Sequence, residues 1–176
     1  MEHYPKKRLG QNFLIDPNIL RKIVRVIEPQ KDDLIVEIGP GKGALTRLLL
    51  ESNAEIHAIE LDPELANYLK QELAQFENFH LYYADAVQFN FSNLLNRNQK
   101  IKIVGNIPYN ITSPLLFRLF EMTDHLDRIV LLIQKEIAFR LCAQPATKEY
   151  GILSVMANFY CRPKIEFNVS PQVFRP

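Results

Sequence analysis

An amide, a proline and an aromatic ring follow directly on a short apolar run in residues 101–109, IKIVGNIPY. Residues 101–105 read as a buried strand that enters a turn made of Asn106, Ile107, Pro108 and Tyr109. In open α/β sheets, ligands bind outside the carboxyl ends of the strands. Asn106 offers a side-chain carbonyl acceptor. Pro108 has no N–H and stiffens the turn, leaving backbone carbonyls free to accept. Tyr109 offers a π-face on which a nucleobase can stack. Together these groups suit capture of a flat, amine-bearing group. Asn and Pro are also ordinary turn residues, so the reading depends on what surrounds them.

The elements that would position this turn are those of a mostly parallel α/β sheet. Residues 34–38 (LIVEI) form a strand that opens into Gly39, Pro40, Gly41, Lys42 and Gly43, and a helix over 44–51 follows. Such a loop brings a ligand close to the backbone. Gly39, Gly41 and Ala44 also satisfy the dinucleotide pattern GxGxxG/A, so an NAD site remains open at this point. The GK[ST] ending of a P-loop is lacking, which argues against ATP hydrolysis. A second strand, 55–60, ends at Glu60, about 20 residues past the first loop glycine, where an acid takes ribose hydroxyls. A third, 79–84, ends at Asp85, which could accept from a nucleobase amine or cap the next turn.

Asp16 with Pro17 and Asp62 with Pro63 read as N-caps with proline in the first turn. The helices after them carry apolar stripes, the first at Ile19, Leu20, Ile23, Val24 and Ile27. A further helix is expected after Pro114, then a strand over 128–134 and a helix over 135–142. Residues 152–160 are ambiguous and are read as a strand leading on through 165–169. The tail, 170–176, stops without a finishing element, so the expectation is a chain truncated at its C-terminal end.

With 176 residues, 47% hydrophobic and 23% charged, the chain has the composition of one globular domain. A net charge of +1 gives no global argument for nucleic acid. The basic residues Lys6, Lys7, Arg8, Arg97, Lys100, Lys135, Arg140, Arg162 and Lys164 read singly as solvated surface, although they could meet phosphates. Cys142 and Cys161 form no CxxC. His57 and His80 fall in strands and His125 in a loop, none with a carboxylate or Cys at ligand spacing, so no metal is assigned. No signal peptide and no apolar run of about 18 residues is present, so a cytoplasmic protein without membrane contact is expected.

The blocks Gly10-Gln11-Asn12-Phe13-Leu14, Glu37 to Thr46, Glu60, Asp85-Ala86, Asn106 to Ile111, and Val173-Phe174-Arg175-Pro176 add up to a resemblance. The chain resembles class I methyltransferases that use S-adenosylmethionine, specifically the KsgA-type ribosomal RNA adenine dimethyltransferases. The glycine loop alone is weakly specific; the arm combined with Asn-Ile-Pro-Tyr is highly specific. The resemblance implies a Rossmann-like sheet in the order 3-2-1-4-5, helices on both faces, an antiparallel seventh strand and a C-terminal helical domain. The last two are not found in the sequence. An arm over 1–16 would precede a methyltransferase domain over 17–176.

The resemblance further implies that Asn12, Leu14, Gly39, Gly41, Glu60, Asp85 and Asn106 bind the cofactor. It implies that Asn106, Pro108, Tyr109 and Phe174 serve the target base, with the Asn106 oxygen and the Pro108 carbonyl holding the amine hydrogens. The implied activity is dimethylation of the N6 amine of adjacent adenosines in small-subunit (16S) ribosomal RNA during ribosome assembly, by a monomer and without a metal. Rival readings are a large-subunit rRNA adenine methylase of the antibiotic-resistance type, an NAD-dependent oxidoreductase, and a mainly non-enzymatic assembly factor.

Overall fold

The computed structural model describes residues 6, 9–95 and 99–175. Lys7, Arg8, Arg97 and Pro176, named above, lie outside the described residues. The strands in chain order are β1 (Phe13–Leu14), β2 (Leu34–Ile38), β3 (Glu55–Glu60), β4 (Phe79–Tyr83), β5 (Ile101–Asn106), β6 (Leu126–Leu132) and β7 (Phe174–Arg175). The helices are α1 (Pro17–Ile27), α2 (Ala44–Leu50), α3 (Pro63–Glu72), α4 (Tyr109–Phe120), α5 (Lys135–Leu141) and α6 (Ile152–Tyr160).

Strands β4-β3-β2-β5-β6 form one sheet in that order, every pairing parallel. Parallel strands are covered on both faces and therefore read as unbroken apolar runs, and all of β2 is buried. On one face Ile35, Ile56 and Val104 meet Leu20, Ile23 and Ile27 of α1 and Leu49 of α2. On the other, Val36, Ile38 and Ile103 meet Leu115 and Leu119 of α4 together with Phe91. Asp16 accepts from the N–H groups of Asn18 and Ile19, with Pro17 at the head of α1. Asp62 caps α3 in the same way, ahead of Pro63. The expected order 3-2-1-4-5 is present once the five core strands are counted from β2. The chain reverses its direction of travel across the sheet between β2 and β5, which makes their carboxyl ends the topological switch point. Among the described residues, no helix is long and apolar enough to cross a membrane.

Several expectations need correction. Residues 152–160 are a helix, not a strand. The residues that spoil a two-residue alternation form one helical face: Ser154 and Ala157 are buried, and Ala157 packs between Leu116 and Phe120 of α4. Ser154 Oγ donates to the Arg140 carbonyl and accepts from Gly151 N–H, and Asn158 donates to the Ser154 carbonyl. Residues 161–170 contain no strand. Helix α4 starts at Tyr109, ahead of Pro114 rather than after it, because Pro108 serves as its N-cap and receives the Thr112 hydroxyl. Strand β6 begins two positions before the expected one. β7 is antiparallel but pairs with the arm strand β1, outside the main sheet.

Candidate functional site

Backbone pairing and a few side chains fix the arm across the switch point. Leu14 faces Phe174, and Phe13 faces Arg175, in the β1–β7 pair, extended by Ile15 N–H donating to the Val173 carbonyl at 3.0 Å. Further back, Lys6 Nζ lies 2.8 Å from Asp62 Oδ1 and Gln11 Nε2 donates to Asp62 Oδ2 at 2.9 Å. Burial pushes the Asp62 carboxyl up, but hydrogen bonds from Lys6 and Gln11 hold it below the usual carboxylate range. Lys6 is therefore an anchor of the arm, not solvated surface. The Phe13 ring lies over the glycine loop, and a Cβ placed on Gly41 would meet it at 3.0 Å. Lys42 Nζ sits 5.3 Å from the centre of that ring.

Below the arm, Gly39 (φ +67) and Gly41 (φ +59) take left-handed conformations that favour glycine. Glu60, buried at the end of β3, accepts from Gly41 N–H at 3.1 Å and from Asp62 N–H at 2.9 Å. Burial raises its carboxyl above the ordinary value against the pull of these bonds. The carboxylate thus braces the loop and keeps lone pairs for a ligand hydroxyl. Asp85 Oδ1 accepts from Val87 N–H at 2.8 Å, so the capping role is real and one oxygen remains. Glu37, at the end of β2, is fully buried, and burial raises its carboxyl to about 7. Thr46 beside it holds that rise back, yet neither Glu37 Oε2 nor Thr46 Oγ1 completes a hydrogen bond.

The Asn106 side chain is oriented by the arm: Nδ2 donates to the Asn12 carbonyl at 2.7 Å. That bond leaves Oδ1 as the open acceptor at the carboxyl end of β5. The Pro108 carbonyl is not open. It accepts from Ile111 N–H at 3.2 Å and from Thr112 Oγ1 at 2.9 Å, which uses both lone pairs. The carbonyl one residue earlier, on Ile107, accepts nothing among the described residues, while Ile107 N–H is tied to the Leu132 carbonyl at 2.9 Å. Of these two carbonyls, that of Ile107 is the open one. Tyr109, at the first position of α4, is 62% exposed and offers a free ring face. Phe174 is half-buried against the arm.

One continuous groove of about 1890 Å³ is lined by Asn12, Leu14, Gly39, Gly41, Glu60, Asp85, Asn106, Pro108, Tyr109 and Phe174. That volume runs well beyond the switch point, along β6 as far as Arg25, Glu28 and Asp127. The donor set fits a nucleoside carrying positive charge: carboxylates stand ready at Glu60 and Asp85, and Glu37 Oε2 is buried without a hydrogen-bond partner. Of the basic residues, Lys135, Arg162 and Lys164 also line the groove; Lys164 pairs with Glu166 at 3.1 Å and Lys135 sits over Phe139. Sequence reasoning missed Ile107, Phe13 and Asp62, and gave Glu37 no role of its own. Glu37 carried the one available signal, an acid inside an otherwise apolar strand.

Strand order, glycine loop and switch-point groove define a Rossmann-like class I methyltransferase domain, the class that draws its methyl group from S-adenosylmethionine. Within that class, residues 2–176 match the ribosomal RNA adenine dimethylase family, and the chain belongs to it. It is 44% identical over 176 residues to the ribosomal RNA small subunit methyltransferase A of Methylococcus capsulatus, covering 100% of this chain and 68% of the relative. It is 44% identical over 170 residues to the protein of that name from Clostridium botulinum, covering 97% and 62%. A dimethyladenosine transferase structure from Plasmodium falciparum superposes with a TM-score of 0.73 at 30% identity, over 83% of this chain and 52% of that one. The 23S rRNA methyltransferase ErmE gives 0.66 at 29%, over 74% and 51%. The chain spans about two thirds of these curated relatives and about half of the solved chains.

Proposed function

We propose that this chain transfers methyl groups from S-adenosyl-L-methionine to the N6 amine of adjacent adenosines in small-subunit ribosomal RNA, twice per base, during ribosome assembly in the cytoplasm. The observation that carries the reading is the Asn106 side chain, turned by the Asn12 carbonyl so that Oδ1 faces outward as an acceptor. An aromatic amine is a poor nucleophile because its lone pair is delocalised into the ring. Asn106 Oδ1 and the Ile107 carbonyl hold the amine hydrogens and favour a pyramidal nitrogen. Tyr109, with Phe174 also lining the groove, stacks on the base once it has been extruded. When bound, the cofactor would supply an electrophilic methyl group on a sulfonium, leaving as a neutral thioether, and the proton lost by the methylated amine would pass to solvent. Glu60 holds the ribose, Asp85 the adenine amine, and Gly39 and Gly41 admit the ligand against the backbone. Most of the rate gain then comes from alignment, a contribution that can reach several kcal/mol.

The choice of small-subunit RNA rests on the names of the curated relatives, at 44% identity against 29% for the 23S enzyme. An NAD-dependent oxidoreductase would use the glycine loop and Glu60 but gives Asn106 and its bond to the arm no task. The test is transfer of labelled methyl groups to under-methylated small and large ribosomal subunits, read by nucleoside digestion. Labelled dimethyladenosine from the small subunit alone is expected. Label in the large subunit alone, or stabilisation by NAD with no transfer to either, would overturn the proposal.

A further inference from the structure

A second cluster of ligating side chains stands outside the groove, at the opposite end of β3. Glu55 and His57 are two residues apart in that strand and share a face. The β3–β4 register sets His80 directly beside His57. The sequence reading found no carboxylate at ligand spacing, although Glu55 stands two residues before His57 in one strand; the cross-strand partner His80 is invisible until register is known. His57 Nε2 lies 2.9 Å, and His80 Nε2 3.4 Å, from Glu55 Oε1. All three ligand atoms fall within 4.8 Å of one another. A tetrahedral ion about 2.0–2.1 Å from each donor needs donor separations of roughly 3.4 Å, so the cluster closes on an ion with small rotamer changes. The imidazole centres are 4.6 Å apart and inclined by 31°, close to side by side.

The other nitrogen of His57 is also engaged. Its Nδ1 is 3.0 Å from the Tyr82 hydroxyl, the kind of outer partner that orients metal-bound histidines. Access is built in: the His57 side chain is 9% exposed, but those of Glu55 and His80 are 48% and 42%. Neither histidine nor Glu55 lines the groove, and Glu60 is about 16 Å from Glu55 and about 10 Å from His57 along the strand.

We propose that Glu55, His57 and His80 bind one divalent transition-metal ion of the zinc class, through Nε2 of both imidazoles and one carboxylate oxygen, with water in the fourth position. Two nitrogens and one oxygen suit zinc, and copper and nickel more weakly distinguished from it. Binding converts the His57 tautomer. Without an ion, Nε2–H donates to Glu55 and Nδ1 accepts from Tyr82; with one, Nε2 ligates and Nδ1–H donates to the Tyr82 oxygen. The ion pins edge strand β4 to β3, whose far ends carry Asp85 and Glu60, so the site is structural and not part of methyl transfer.

The test titrates the metal-stripped chain with zinc against a chelating dye, and with cobalt for its visible ligand-field absorption. One zinc per chain and a raised thermal midpoint are expected for the unaltered protein. His80→Gln and Glu55→Gln alter exposed side chains and keep the fold, checked by an unchanged midpoint without metal; each is expected to weaken zinc binding about 10-fold or more. Tyr82→Phe is expected to weaken it about 10-fold while leaving the cobalt spectrum in place. Cys142 and Cys161 are unbridged thiols outside the cluster, so a Cys142→Ser, Cys161→Ser chain is expected to bind as before. No zinc binding to the unaltered chain, unchanged affinity in His80→Gln and Glu55→Gln, or loss of binding in the cysteine variant would each overturn the site.

Discussion

Replacing Glu37 by Gln isolates the cost of a buried acid at the end of β2. Its carboxyl stands near 7 in the folded protein, against 4.5 for the free group, chiefly because burial disfavours the charge. At roughly 1.36 kcal/mol per tenfold in proton affinity, that difference corresponds to about 3 kcal/mol. The sign follows from the direction. A carboxyl raised on folding contributes stability that is complete below about pH 4.5 and is lost as the pH rises through about 7. Glu37→Gln keeps the shape and removes the titration. The variant is therefore expected to match the unaltered protein near pH ~4.5 and to exceed it by up to about 3 kcal/mol near pH ~8. Glu60 is raised in the same direction and its charge adds to the Glu37 rise, so the difference reports Glu37 together with that coupling. The assay is urea unfolding of both chains at intervals across this range, with the slope checked for constancy. A difference that does not change with pH would refute the reasoning.

Gly41→Ala is expected to cost about 1–2 kcal/mol for the left-handed backbone and to push Phe13 off the loop, a 3.0 Å contact. Weaker cofactor binding by calorimetry checks it, and unaltered affinity contradicts it. Asp62→Ala removes an N-cap worth about 1 kcal/mol and the bonds from Lys6 and Gln11 to that carboxylate, while Lys6 keeps Glu64 at 2.9 Å. Proteolysis within the arm is expected to accelerate more than global unfolding does, and equal changes would count against arm docking. Lys102 is buried in β5 with Nζ 2.7 Å from Asp33 and 2.9 Å from the Glu28 carbonyl. Lys102→Ala is expected to destabilise by about 3 kcal/mol in chemical unfolding, the lower end for a broken buried pair because Asp33 keeps some water contact; a loss below about 1 kcal/mol would place the pair among weak surface ones. Tyr109→Ala is expected to lower methyl transfer more than Tyr109→Phe, and equal losses would exclude stacking as the role of the ring.

The central strands β2, β3 and β5 could be read before any coordinates because they are buried on both faces and so appear as largely apolar runs. The caps at Asp16 and Asp62 were legible for a local reason, since a cap bonds its own first turn. Helix α6 was not, because what settles it is tertiary: Ser154 bonds the Arg140 carbonyl and Ala157 fills the gap beside Phe120. Gly39, Glu60, Asp85 and Asn106 share the groove because strand ends of a parallel sheet lie together, and strand ends are visible in a sequence. The use of each polar atom is not visible. The Pro108 carbonyl is taken up by the first turn of α4, which the sequence does not record. The bond from Asn106 to Asn12, the Lys6 anchor and the Glu55–His57–His80 cluster all join distant segments whose register no local pattern records.

The central claim is that Asn106 Oδ1 accepts from the target amine, and a paired measurement on Asn106→Ala tests it most directly. Single-turnover methyl transfer and S-adenosylmethionine affinity are measured on the same preparation, with the unfolding midpoint as control. Transfer is expected to fall by about 10²–10³, the usual effect of deleting one preorganised hydrogen-bonding group in a site. Affinity and midpoint are expected to change far less. Near-normal transfer, or a loss explained wholly by cofactor affinity, would contradict the claim.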